Sequence, residues 1–383
     1  MNHHFEPLRY ITLPSFRTQT DYVVEIKFSS DGRFLAIGYS NGVAIWDMHN
    51  QDRFPHTTTH DQKTSHFKSL QWFPNLPRLA VVHSGGRAYV LTFGGNEIES
   101  LGIRESGFRE DGVGIAVLCE DLIAFAFTKT VQIRQYSYSP GVTTNEWPLI
   151  GTLRSPPAPK GCMVMDLAID SIYALSARRI LVSYGRMFIV YVDHIYHGFL
   201  KTKYLDREWD ISSLKPFHAN ILRTKRVLGT VTDVSPRDDC YLVSNNAAGT
   251  YQIESLDSES SLRSFVPRHR VSGNAEHISV AQFIGRSLII GGGMGQLVLW
   301  NSEARRLQNL VFEEHFLVEK YCWVYQAAND KLWIAAAITK TNQVLVWEWH
   351  GNSHDQSEKA QDAPMQSEGC RNSVELREGC IVQ

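Results

Sequence analysis

Short runs in which every second residue is apolar recur along this chain, and pairs of turn-forming residues separate them. Val24-Glu-Ile-Lys-Phe28 places apolar side chains at 24, 26 and 28, the period of a strand with one face buried. Asp31-Gly32 follows, then the apolar run Phe34 to Ile37, then Asn41-Gly42, then Val43 to Trp46. Asp-Gly and Asn-Gly between apolar runs predict hairpins, because their backbones accept the positive φ that tight turns demand. The segment therefore reads as three antiparallel strands in about 25 residues.

The same order of strand, turn and strand returns at Ser69 to Leu91, Ile115 to Arg134, Met163 to Tyr191, Gly229 to Glu254, Ile278 to Trp300 and Cys322 to Trp347. With Trp46 ending the third strand, its equivalents are Leu91, Arg134, Tyr191, Glu254, Trp300 and Trp347, spaced by 45, 43, 57, 63, 46 and 47 residues. A unit that repeats at about 40 to 45 residues is one four-stranded blade of a β-propeller. The two long spacings mark insertions. The predicted fold class is all-β, a seven-bladed β-propeller of four-stranded antiparallel blades. After Trp347 the chain supplies only Glu-Trp349-His before it turns polar, too little for an outer strand of its own. The strand-like Leu8 to Leu13 precedes the first unit, so it is expected to pair with the last blade and close the ring, leaving no exposed sheet edge there. One toroidal domain over residues 8–350 follows, with residues 351–383 as a disordered tail in which six acidic residues outnumber three basic ones.

The units resemble the WD-repeat family through Trp46-Asp47, Phe28-Ser-Ser-Asp31-Gly32, Trp300-Asn301 and Trp347-Glu348, over roughly residues 10 to 350. Thr18-Gln19 stands where the family has Gly-His, and Asn41 where its turn Asp is usual. The resemblance thus implies the blade but not the family's buried His-Asp network. It also implies a non-catalytic scaffold whose protein partners dock on the face formed by the second-to-third-strand turns and the links between blades. Carried over by position, that face holds Asp21, Tyr22, Tyr39, Asn41, His66, His83, Arg87, Lys129, Arg186, Asn246, Met294, Lys320 and Asn342.

Composition narrows the partners. Hydrophobic residues at 43% and charged residues at 20% belong to a chain that buries a large core. A net charge of −2 supplies no field for nucleic acid, and none is expected as a partner. The start, Met1-Asn-His-His-Phe-Glu-Pro7, lacks the build of a signal peptide, and no apolar run approaches the length of a membrane span. We therefore expect a cytoplasmic protein, with the nucleus left open, acting as a monomeric propeller within a complex. Six cysteines at 119, 162, 240, 322, 370 and 380 form no C-x-x-C pair, and the histidines show no ligand spacing, so no metal and no cofactor is expected.

Several local motifs reduce to turns. Gly38-Tyr-Ser40-Asn-Gly42 matches the nucleophile elbow G-x-S-x-G, but Val43 to Trp46 continues as a strand where the elbow needs a helix. Gly291-Gly-Gly-Met-Gly295 lies between two strands, with no helix N-terminus to hold an anion. An enzyme with a site assembled at the channel mouth is the alternative reading. Residues 197–230 carry seven basic against three acidic residues, and Lys201, Lys203, Lys215, Arg223, Lys225 and Arg226 are read as a charged loop. That loop offers a surface to an acidic partner or a phosphoinositide, although the family's Phe-Arg-Arg-Gly lipid motif is absent and Ala177-Arg178-Arg179-Ile180 is the nearest string. Ser155-Pro-Pro-Ala-Pro159 reads as stiff and extended. Cys380-Ile-Val-Gln383 fits a C-a-a-X prenylation box, with Cys370 the candidate for a second acyl chain; one prenyl group implies weak, reversible membrane association.

Overall fold

Phe34-Leu-Ala-Ile-Gly-Tyr39 is buried from Leu35 to Tyr39, with no polar residue alternating through it. A strand of this kind needs a neighbour on each face, and the computed structural model provides both. It describes residues 4–12, 22–39, 42–49, 56–59, 67–94, 97–103, 110–136, 147–155, 168–176, 179–185, 204–210, 220–227, 230–235, 240–245, 250–255, 261–265, 281–284, 288–293, 296–301, 306–311, 318–326, 331–338 and 343–350.

Among the described residues every regular element is a strand, and the strands form seven four-stranded antiparallel sheets. A lone strand, β1 (His4–Thr12), comes first. Sheet 1 is β2 (Val23–Phe28), β3 (Phe34–Tyr39), β4 (Gly42–Asp47) and β5 (His56–Thr59); sheet 2 is β6 (Phe67–Trp72), β7 (Arg78–His83), β8 (Ala88–Gly94) and β9 (Glu97–Ile103). Sheet 3 is β10 (Gly112–Cys119), β11 (Leu122–Phe127), β12 (Thr130–Gln135) and β13 (Leu149–Arg154); sheet 4 is β14 (Ala168–Ser176), β15 (Arg179–Gly185), β16 (Tyr204–Asp210) and β17 (Asn220–Val227). Sheet 5 is β18 (Thr230–Ser235), β19 (Cys240–Asn245), β20 (Thr250–Ser255) and β21 (Ser261–Phe265); sheet 6 is β22 (Gln282–Ile284), β23 (Leu288–Gly293), β24 (Gln296–Asn301) and β25 (Arg306–Val311). Sheet 7 has only three strands of its own, β26 (Val318–Gln326), β27 (Lys331–Ile338) and β28 (Gln343–His350). Its fourth is β1, antiparallel to β28 with Tyr10 opposite Leu345 and Phe5 opposite Trp349.

The structure corrects the reading of sheet 4. Its third strand is β16, not the segment ending at Tyr191, and the equivalent of Trp46 is Trp209. Trp209 pairs with Ile180 as Trp46 pairs with Leu35, and Asp210 pairs with Arg179 as Asp47 pairs with Phe34. A second literal Trp-Asp therefore stands in register with the first. The stretch read as a charged loop contains β16 and β17, whose register sets Asp206 opposite Lys225 and Glu208 opposite Arg223. Charged residues along two strands mimic the composition of a loop.

Strand parity then assembles the sheets. On β3, Leu35 and Ile37 pack with Cys322, Val324, Trp333 and Val346 of sheet 7, whereas Ala36 between them packs with Phe67, Leu70 and Val81 of sheet 2. Five further pairings of neighbouring sheets repeat this arrangement. Clusters of buried side chains join sheets 1 and 2, 2 and 3, 3 and 4, 4 and 5, 5 and 6, 6 and 7, and finally 7 and 1. Each buried Leu, Ile or Val contributes about 1.5–3 kcal/mol, so every sheet is held from both faces. Glycine marks the closest approaches: a Cβ on Gly38 would strike the Phe67 ring, and one on Gly112 would strike the His83 carbonyl.

Six of the seven first strands share one irregularity. The register of β2, β6, β10, β14, β18 and β26 slips near its start, as between Phe67 and Ser69 or Ile169 and Ser171. A bulge inserts one unpaired residue and re-aims its side chain. The apparent motifs resolve as expected: β4 follows the Gly38-to-Gly42 turn as a strand, and Gly293 pairs with Gln296 across a two-residue hairpin loop.

Candidate partner-binding face

The end of the sheets that carries each first-strand start also carries each turn between second and third strands. On sheets 2 to 4 this end is tied together by hydrogen bonds to turn backbone. The Gly85 amide donates to Asp111 Oδ1 at 2.8 Å, and the Lys129 amide donates to Glu110 Oε2 at 2.8 Å. Thr130 Oγ1 donates to the same Glu110 oxygen at 3.2 Å. The Lys129 carbonyl in turn accepts from Ser155 N at 2.8 Å, and the Thr128 carbonyl accepts from Ile169 N at 2.8 Å. The acidic pair ahead of β10 thus fastens the turn of sheet 2 to the turn of sheet 3. Gly85 and Gly86 have φ of 78° and 73°, the left-handed turn conformation that glycine adopts without strain.

The expected face residues divide. Tyr22 is exposed at 51%, Lys129 is exposed, and Arg87 and Lys320 are half-buried. Tyr39 and His83 are corrected to the interior, at 8% and 1% exposure. They end β3 and β7 between packed sheets, and His83 lies edge-on to the rings of Phe67 and Tyr89, each with centroids 5.5 Å away. Asp21, Asn41, His66, Arg186, Asn246, Met294 and Asn342 lie outside the described residues, as do Lys201, Lys203, Lys215, Cys370, Cys380, Pro156 to Pro159 and the tail. Arg223, Lys225 and Arg226 are placed on β17. Sequence reading missed Lys68, the exposed bulge residue of β6, and the Glu110-Asp111 pair; an acidic dipeptide directly ahead of a first strand was the available signal.

A second set of missed groups lies on the innermost strands. Glu25 Oε2 accepts from Ser69 Oγ at 2.8 Å and from Leu70 N at 3.0 Å, both on sheet 2, and Glu25 Oε1 is 3.7 Å from Lys27 Nζ. Asp233 Oδ2 of sheet 5 accepts from Phe283 N of sheet 6 at 2.8 Å. Burial pushes the Asp233 carboxyl up to about 6, against the pull of its amide donors and of Lys27. Burial works against the Lys27 charge too, but Glu25 and Asp233 outweigh it and hold the amine above its ordinary value. Burial pushes the Cys322 thiol up to about 12, which removes the thiolate a nucleophile requires. Glu25 and Asp233 thus satisfy first-strand amides of the neighbouring sheet, which would otherwise lack a partner.

Among the described residues, no group of three or more His, Cys, Asp or Glu side chains is placed to hold a metal ion.

No protein-family model matches the chain, and no curated protein matches it. Among solved structures 1033 chains do. One of these, a chain in a crystal structure of a mitotic checkpoint complex, is 10% identical, with 89% of this chain and 91% of that chain covered at a TM-score of 0.58. The likeness is one of fold. It agrees with an all-β array of antiparallel sheets arranged as in a propeller.

Proposed function

We propose that the seven sheets are the blades of a closed, seven-bladed propeller, and that the chain is a non-catalytic scaffold that presents the turns of this ring to protein partners. The cyclic order of buried clusters, from sheet 1 through sheet 7 and back to sheet 1, supports the ring. The observation that carries the scaffold reading is the backbone bracing of the turns at Gly85 and Lys129 through Asp111 and Glu110. A turn fixed in this way loses little entropy when a partner binds, which is the condition for affinity from a small surface. The fold likeness to a chain of a multi-protein assembly is compatible with this reading.

The enzyme alternative has one cluster to draw on, the inner-strand groups Glu25, Lys27, Asp233 and Cys322. Their engagement favours a structural role: Glu25 and Asp233 are occupied by amides of the next sheet, and the Cys322 thiol stays protonated. The deciding experiment is affinity purification of the full chain from its native cell, beside a Tyr22→Ser, Arg87→Glu double variant. A stoichiometric protein partner lost from the variant supports the scaffold. Recovery of no stoichiometric partner by the parent chain overturns it.

A further inference from the structure

We propose that Ser171 and Ser183 hold a buried water molecule between sheets 4 and 5, in the place that a carboxylate fills at two other joints. The first residue to pair after the first-strand bulge is Glu25 in sheet 1, Ser69 in sheet 2, Gly114 in sheet 3, Ser171 in sheet 4 and Asp233 in sheet 5. Glu25 reaches forward to the amide of Leu70 in sheet 2, and Asp233 to the amide of Phe283 in sheet 6. Ser69 donates its hydroxyl back to Glu25 at 2.8 Å. Gly114 has no side chain to send. Ile172 Cγ2 lies 3.3 Å and Ile172 N 3.9 Å from where a Gly114 Cβ would stand, so sheet 4 itself closes that joint.

Sheet 4 uses none of these devices toward sheet 5. Ser171 lies directly opposite Ser183, and the next pair, Ile172 and Val182, packs toward sheet 3. The pair after that, Tyr173 and Leu181, packs with Val231, Tyr241 and Val243 of sheet 5. Alternation along each strand therefore turns both serines toward sheet 5. Tyr173 has the same direction, since its hydroxyl donates to the Val231 carbonyl at 2.7 Å. Ser183 is fully buried. Both serine Oγ atoms are closed off from solvent, and neither has a hydrogen-bond partner in the protein. Buried hydroxyls pair with protein groups or with ordered water, and here no protein group bonds them. A serine side chain also ends short of the gap that an aspartate or glutamate bridges. Residues directly opposite in an antiparallel pair hold their Cβ atoms about 4.5–5.5 Å apart, so two hydroxyls stand side by side where one water can bond both. Glu25, Ser69 and Gly114 face Gly38, Val82 and Ala126 across their own sheets. Of these four positions, only that of sheet 4 carries a hydroxyl on both strands.

The test is a crystal structure of the full chain in which ordered water is visible, joined to water-oxygen relaxation dispersion in solution, which registers only long-lived internal water. The expected map has a peak within about 3.2 Å of both Oγ atoms. The expected dispersion amplitude drops by the share of a single water in a Ser171→Ala, Ser183→Ala variant. Ser183→Ala alone carries the comparison if the double variant does not fold, and the map of the parent chain needs no variant. An empty gap, a direct hydrogen bond between Ser171 and Ser183, or a side chain in the space overturns the proposal. So does an unchanged dispersion amplitude in a folded variant, which places the long-lived water elsewhere.

Discussion

Replacing Asp233 with Asn tests whether the buried first-strand charges are a cost that the fold carries. The Asp233 carboxyl is pushed from an ordinary 3.8 to about 6, and burial is the largest cause. At about 1.36 kcal/mol per pKa unit, its ionisation in the folded state costs at most about 3 kcal/mol. Asparagine keeps a carbonyl oxygen for Phe283 N, which Asp233 now binds at 2.8 Å, and removes the charge. It also takes one of two carboxylates away from Lys27, whose other partner Glu25 stays at 3.7 Å. We therefore expect a net gain of about 1–2 kcal/mol at pH 7.5, or roughly 2–6 °C in Tm. The sign depends on pH. The folded chain holds the Asp233 proton more tightly than the unfolded chain, so this group's contribution to stability is full below about 4 and is lost as pH rises through about 6. Asn has no such loss. The difference between Asp233→Asn and the parent must be largest above pH 6 and vanish near pH 4. Thermal melts of both proteins across this range measure it. A variant that is less stable at pH 7.5, or an offset that is the same at both ends, would refute the reasoning.

Gly112→Ala should lower Tm by several degrees, because its Cβ meets the His83 carbonyl and Val82 Cγ2 and the backbone cannot yield; Gly85→Ala, with open space but φ of 78°, should cost only about 1 kcal/mol. Scanning calorimetry of the pair distinguishes them, and equal losses would contradict the packing argument. Arg134→Ala should destabilise by about 3 kcal/mol in urea titrations, since the buried guanidinium donates to Gln132 Oε1 at 2.9 Å and to the Trp147 carbonyl at 2.9 Å and both acceptors would lose it. Deleting residues 1–12 exposes the β28 edge that β1 covers from His350 to Gln343, and should bring concentration-dependent association in sedimentation velocity; a monodisperse truncated chain with an unchanged melt would show that the edge needs no cover.

Much of this architecture was legible along the chain, because a hairpin depends on neighbours. Asp31-Gly32 and the Gly38-to-Gly42 turn join runs only a few residues apart, and the tight turn geometry they permit decides the pairing. The repeating Trp position followed for the same reason, and register confirms it at Leu91, Arg134, Glu254, Trp300 and Trp347. Reading failed where composition imitated a loop. In Tyr204-Leu-Asp-Arg-Glu-Trp-Asp210 alternating charges hid a strand, and with Trp209 in place of Tyr191 the spacings of 57 and 63 become 75 and 45. One expansion in sheet 4 replaces two.

By itself, then, the sequence determined the strands, their turns and the strand held back for the last sheet, since alternation, turn chemistry and the polar character of the chain after Trp349 are local facts. Tertiary structure alone decided which side chains those strands would offer. Tyr39 and His83 end their strands as turn residues should, yet each is covered by the neighbouring sheets. Lys27 and Asp233 stand some two hundred positions apart in the chain, on the first strands of sheets 1 and 5, and yet each shifts the other's charge equilibrium. No local pattern encodes that coupling. It arises when seven sheets, each apolar on both faces, can bury those faces only against one another, and the polar groups left on the inner edges must then find partners in whichever sheet comes next.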